Sequence, residues 1–167
     1  MLFRSGQEAG NAIADVLFGD AEPGGRLPQT FPQRWEDNPT HTDDPEIYPG
    51  KDGCVRYDEG VFVGHRHYDA KAIKPLFPFG FGLSYTEFAL EGLEVDERED
   101  EVVVSTVVRN TGARRGSSVV QLYVGEESPA LPRPVRELKA FAKVELNAGE
   151  RRKVSLALSP RDFAFFD

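Results

Sequence analysis

Hydrophobic positions recur along this chain with two different periods. In "SGQEAGNAIADVLFGD", residues 5–20, Ala9, Ala12, Ile13, Val16 and Leu17 fall at helical spacing, which predicts one amphipathic helix with a single apolar face. Ser5 with Glu8 three residues later has the form of a capping box, and Gly19 suits the left-handed position after the last turn. Pro23, Gly24 and Gly25 then predict a tight turn, and Arg26 to Phe31 a short strand. A lone helix and strand cannot bury a core, so this step predicts a larger α/β domain whose earlier part precedes the chain. Residues 33–75 are polar and interrupted by Pro39, Pro45 and Pro49. They read as an irregular connecting excursion in which only "GVFVGHRHYD" has strand character.

From about Phe88 the period changes to two. "EVVVSTVVRN" and "SSVVQLYVG" flank the turn "NTGARRG". "ELKAFAKVEL" places Leu138, Ala140, Ala142, Val144 and Leu146 on one face, and "RKVSLALS" does so with Val154, Leu156 and Leu158. The turn "NAG" predicts that these last two strands form a hairpin. Short strands separated by Gly and Asn turns indicate an immunoglobulin-like β-sandwich of roughly five strands, where a complete one has about seven. The fold class is therefore mainly β, preceded by a residual helix–strand piece of an α/β domain.

Composition narrows the function classes. With 167 residues, 40% hydrophobic and 29% charged, the chain has the make-up of a globular protein rather than a disordered one. Its formal net charge of -8, with basic residues scattered among acids, argues against a nucleic-acid groove. No stretch approaches the ~20 apolar residues that span a bilayer, and the N-terminal residues lack the apolar core of a signal peptide. Neither nucleic acid nor membrane is an expected partner, and the compartment is left open. Cys54 is the single cysteine and has no internal disulfide partner.

Candidate chemistry is sparse. Asp58 and Glu59 are the one tempting carboxylate pair, but neighbours on an extended strand point to opposite faces, so they are weak candidates for touching substrate. His65 and His67 would share a strand face and could suggest zinc. No third or fourth ligand is evident, so no metal is expected, and Arg66 and Asp69 are read as a structural ion pair. Ser84 in "GLSYT" lacks the second glycine of a nucleophile elbow and no histidine follows it. Glu8 is first a helix-cap residue, and Gly24 and Gly25 form no phosphate loop because no G-K-[ST] follows. No cofactor is expected.

The segment "LFPFGFGLSYTEF", residues 76–88, holds five aromatic rings, two glycines and a proline with neither period. With "GQEAGNAIADVLFGDAEPGGRLPQTFP", "YDEGVFVGHRHYD" and "VVQLYVGEESPALPRPVRELKAFAKVELNAGERRKVSLALSPRDFAFFD", it closely resembles the C-terminal portion of glycoside hydrolase family 3, the β-glucosidase and β-xylosidase family. The resemblance implies a remnant of the family's α/β sandwich domain with its connecting excursion over 1–75, an aromatic linker over 76–87, and a truncated fibronectin type III-like sandwich over 88–167. Phe77, Phe79, Phe81 and Tyr85 would be structural linker residues filling a crevice between domains. In the family both histidine positions are commonly aromatic, which favours stacking over metal binding. A retaining glycosidase needs two carboxyl groups about 5.5 Å apart. Both family carboxylates would precede Met1, so no catalytic residue is expected in this chain. Both of its ends look cut, as in a gene fragment. The whole protein would take a β-glycoside substrate, and the incomplete sandwich would tend to self-associate. The alternative is a stand-alone β-sandwich interaction or carbohydrate-binding module.

Overall fold

The structure is a computed structural model that describes residues 6–165. Two compact units account for the chain. One comprises the chain up to Gly25 with Gly82–Leu122 and the stretch from Ala140 onward, and the other comprises Arg26–Phe81 with Tyr123–Lys139.

In the first unit the helix α1 spans Ala9–Phe18 and ends at Gly19, whose φ of 83° is the left-handed cap expected there. Its start differs from expectation. Glu8 occupies the N-cap position, but its carboxylate accepts a hydrogen bond from Asn11 Nδ2 at 2.6 Å instead of capping a backbone amide. Ser5, the other half of the anticipated capping box, lies outside the described residues. None of the helix is fully buried; Ile13, Leu17 and Phe18 are 57%, 74% and 85% exposed, so much of its apolar surface faces outward.

Five strands follow: β1 (Phe88–Glu97), β2 (Val102–Asn110), β3 (Gly116–Val124), β4 (Glu137–Leu146) and β5 (Arg151–Leu158). They form a three-stranded sheet in the order β1-β2-β5 and a two-stranded sheet of β3 and β4. In the larger sheet β2 runs antiparallel to both neighbours, from Phe88↔Asn110 to Glu97↔Val102 on one side and from Val102↔Leu158 to Arg109↔Arg151 on the other. The core lies between the sheets: Val108 and Val154 face Val120, Val144 and Leu146, with Phe88, Ala142 and Leu156 packed around them. The inward faces read from the alternation in β4 and β5 are therefore correct.

The predicted hairpin is not. β4 and β5 belong to different sheets, and the turn through Asn147 and Glu150, with Gly149 at φ 74°, carries the chain across the sandwich. Alternation specifies which side chains face inward, but two strands facing the core from opposite sheets have the same pattern as two neighbours in one sheet. β1 is obscured in the sequence for a related reason. A bulge between Glu91 and Leu93, centred on Gly92 at φ 66°, shifts the register by one, so Leu90 and Leu93 line one face although three positions apart.

Only two strands oppose the three-stranded sheet, and an apolar cleft of about 320 Å³ remains between them, walled by Leu90, Leu93, Val104, Val120, Leu122 and Leu156. Leu93 is 74% exposed there. One residue secures the end of the sandwich. Asn110 is fully buried, and its Nδ2 donates to the carbonyls of Arg114 (2.7 Å) and Leu146 (3.1 Å). Its Oδ1 accepts from Thr86 Oγ1 (2.6 Å) and Gly112 N (3.1 Å).

In the second unit the stretch Arg26–Phe31 does not form a strand. It pairs with the aromatic segment at two points. Leu27 N donates to Phe81 O and Gly80 N to Leu27 O, both at 2.8 Å; Phe31 N donates to Phe77 O (2.8 Å) and Leu76 N to Phe31 O (2.9 Å). Pro28, Pro32 and Pro78 lack the donors that a continuous ladder needs. The excursion is irregular as expected, with a short 3₁₀ turn at Trp35–Asp37, but residues His65–Ala70 form a helix, α2, where strand character was anticipated. A final short helix, α3, spans Pro160–Phe163 in the first unit.

Replacing Asn110 with alanine removes the partner of the buried Leu146 carbonyl and of the part-buried Arg114 carbonyl, Gly112 amide and Thr86 hydroxyl at once. The expected cost is about 3 kcal/mol, read as a melting midpoint lowered by roughly 10 °C. A midpoint unchanged in a scanning calorimeter would show that the network is dispensable.

Candidate functional site

Asp58 and Glu59 follow one another in a segment that belongs to no strand, and both line the same cleft, together with Phe62, His67 and Lys71. The segment lacks the regular pleat on which strand alternation rests. Their surroundings differ. Asp58 Oδ1 accepts from Arg56 Nε at 2.8 Å, and the same guanidinium reaches Asp44 (2.8 Å) and Glu46. Asp58 foremost, and then Asp44, hold Arg56 still more firmly protonated than usual.

The histidines are placed by α2, not by a strand. Two residues apart on a helix, His65 and His67 project in widely different directions. His65 stacks on Phe79 with ring centroids 5.0 Å apart and meets the edge of Tyr123 at 6.0 Å, while His67 lies against Tyr68 and lines the Asp58–Glu59 cleft. Among the described residues no three His, Cys, Asp or Glu side chains gather as metal ligands. Burial pushes both imidazoles below the usual histidine range; for His65 the Asp69 carboxylate opposes the shift and Arg66 and Arg136 add to it. His65 Nε2 is buried without a hydrogen-bond partner.

Arg66 and Asp69 do not pair with each other. Asp69 receives a two-pronged contact from Arg136, with Nε and Nη2 each at 2.9 Å, and Arg66 Nη2 lies 3.5 Å from Glu137. A planar guanidinium and a carboxylate meet best through two parallel bonds, and Arg136 alone can approach Asp69 that way. It also lies over the Tyr123 ring, 5.3 Å from its centroid. α2 is thereby fastened to the segment between β3 and β4.

The linker rings divide between the units, whose boundary falls at Phe81 and Gly82. Phe77 meets Phe31 edge-on at 6.2 Å and Phe81 at 4.8 Å. Tyr85 donates its hydroxyl to the Val16 carbonyl at the end of α1 and carries Arg114 over its ring at 5.3 Å. Phe77 and Tyr85 are 36% and 40% exposed, so these rings are shared between packing and solvent.

Ser84 has a structural partner. Its Oγ donates to Glu22 at 2.5 Å, and the other Glu22 oxygen accepts from Ser117 Oγ (2.8 Å) and N (3.2 Å). Glu22 therefore ties the Pro-Gly-Gly turn to the aromatic segment and to the start of β3. Neither Glu22 nor Asn110 was singled out from sequence. Each is a single polar residue whose partners lie 62 to 95 positions away for Glu22 and up to 36 for Asn110.

The helix capped by Gly19 and followed by Pro-Gly-Gly, the aromatic segment and the two-sheet sandwich define a recognised class of domain pair. Residues 2–85 match the glycosyl hydrolase family 3 C-terminal domain and residues 118–167 the fibronectin type III-like domain. The chain belongs to glycosyl hydrolase family 3. It is 56% identical over 97% of its length to a beta-glucosidase of Rhizobium radiobacter and 44% identical over 99% to thermostable beta-glucosidase B of Acetivibrio thermocellus. These alignments take in 20% and 22% of the two relatives, so the chain spans about a fifth of the curated relatives it matches. Beta-glucosidase 3B from Thermotoga neapolitana, solved in complex with glucose, superposes over the full chain with a TM-score of 0.90 at 38% identity, covering 23% of that structure.

Replacing His65 with phenylalanine keeps the stack on Phe79 and removes the orphaned nitrogen. The native state resists protonating this imidazole while the unfolded chain takes up a proton near pH 6.5, so the wild type loses stability as pH falls through that value. The advantage of His65→Phe in urea melts should therefore grow between about pH 7 and pH 5. An advantage that stays constant over that window would contradict a buried neutral His65.

Proposed function

We propose that this chain is the non-catalytic C-terminal portion of a β-glucosidase, and that the whole protein hydrolyses β-glycosides with carboxylates carried elsewhere. The observation that carries the reading is the 56% identity running along 97% of the chain to a beta-glucosidase. The exposed Ile13, Leu17 and Phe18 of α1 support it, because such apolar surface calls for another layer to bury it. So does the state of Asp58, whose carboxylate is engaged by Arg56 rather than paired with a second acid across a substrate-sized gap. Asp58 and Glu59 do not serve catalysis in this reading. Phe77, Phe79, Phe81 and Tyr85 act as the structural linker between the two domains.

A chimera supplies the test: the corresponding fifth of the Rhizobium radiobacter enzyme is exchanged for this chain. The chimera is expected to turn over an aryl β-glucoside, and the chain alone to give no more product than a blank with aryl β-glucoside or aryl β-xyloside. A soluble, folded chimera without activity would sink the proposal. So would turnover by the chain alone that disappears in Asp58→Asn or Glu59→Gln.

In isolation the chain also self-associates in this reading, through the apolar cleft beside β1 and the exposed face of α1. Light scattering coupled to size exclusion should show a mass that rises with concentration. A monomer at every concentration, melting cooperatively, would defeat this part of the reading.

A further inference from the structure

The surroundings of His65 suit a neutral imidazole and no other form. Its ring stacks on Phe79 at 5.0 Å and meets the edge of Tyr123 at 6.0 Å, and Nε2 is buried without a hydrogen-bond partner. A neutral ring can leave one nitrogen unpaired, whereas a protonated ring has two donors and a charge to place. The charged groups that face it come from two elements: Arg66 and Asp69 from α2 itself, and Arg136 from the segment before β4. Phe79 brings no charge, and burial pushes the Tyr123 hydroxyl up, away from neutral pH.

The carboxylate nearest to His65 is already spent. Asp69 lies four residues further along α2, on the same face, and receives Arg136 Nε and Nη2 at 2.9 Å each. Glu137, the next acid, is shared by Lys139 at 3.1 Å, Arg133 at 3.3 Å and Arg66 at 3.5 Å. A protonated His65 therefore competes with Arg136 for Asp69 and adds a third cation beside Arg66 and Arg136. Both effects loosen the contact that fastens α2 to the connection between β3 and β4. We propose that His65, Asp69 and Arg136 form an acid-sensitive latch: a proton taken from solvent by His65 draws Asp69 away from Arg136 and releases α2 while the sandwich stays folded. The closed helix resists that proton and the released one takes it up near the ordinary histidine value, about pH 6.5, so the latch is shut above that pH and opens as pH falls. The latch lies within the second unit and does not rest on the β-glucosidase reading.

Hydrogen exchange in the ¹⁵N-labelled chain tests it. The Lys71 and Ile73 amides donate to the carbonyls of His67 and Tyr68. Their protection factors should fall about tenfold between about pH 7 and about pH 5.5, while those of β2 hold. His65→Phe should abolish the fall. His67→Phe should keep it, because that ring lies against Tyr68 and away from Arg136. In the wild type the Arg136 Nε–H resonance should move with the same midpoint as the His65 ring, below the ordinary histidine value. Protection that does not change with pH, a parallel loss in β2, a fall that persists in His65→Phe, or an Arg136 signal that ignores the His65 titration would each overturn the latch.

Discussion

The sandwich depends on how one buried amide spends its hydrogen bonds. Asn110 stands at the end of β2, with both its donors and both its acceptor positions occupied by groups from four residues in three places in the chain. Its backbone is engaged as well: Asn110 N donates to Glu150 O and its carbonyl accepts from Gly149 N. The entry to β1, the turn before β3 and both ends of the β4–β5 crossing converge on this residue. A leucine would suit the surrounding apolar core better by transfer energy, but it would leave two carbonyls and an amide without partners in a medium where each is costly.

That arrangement explains how a thin core suffices. Few side chains are fully buried, and the cluster around Val108 and Leu146 is small for two sheets. Polar anchors compensate for the modest apolar burial by limiting how the loops can be arranged. Glu22 does this at the start of β3, and Asp69 with Arg136 does it between α2 and the β3–β4 connection. Satisfied networks of this kind favour one arrangement over others because a shifted loop leaves several groups unpaired together.

The same logic separates structural from available polar groups. Ser84, Asp58, Arg136 and Asp69 are all committed to partners within the fold. Glu59 and Lys71 have no side-chain hydrogen bond or ion pair among the described residues, and both border a cleft in the second unit.

Periodicity by itself determined the helix at Ala9–Phe18, its left-handed end at Gly19, the inward faces of β4 and β5 and the mainly β class, because each follows from the spacing of neighbours in sequence. The motifs determined the family, since their order along the chain survives without any knowledge of contacts. Tertiary structure decided which strands are neighbours: alternation in β4 and β5 is blind to whether they share a sheet, and a single bulge at Gly92 hides β1 from any count of two. It also decided that "HRHYDA" is helical, where Asp69 finds Arg136 rather than Arg66, and that Asp58 and Glu59 share a cleft. The side-chain partners of Glu22, and Thr86 and Leu146 among those of Asn110, lie tens of residues away, and a hydrogen bond leaves no periodic trace in sequence. Only the folded chain brings donor and acceptor within 3 Å and reveals which polar groups remain unspent.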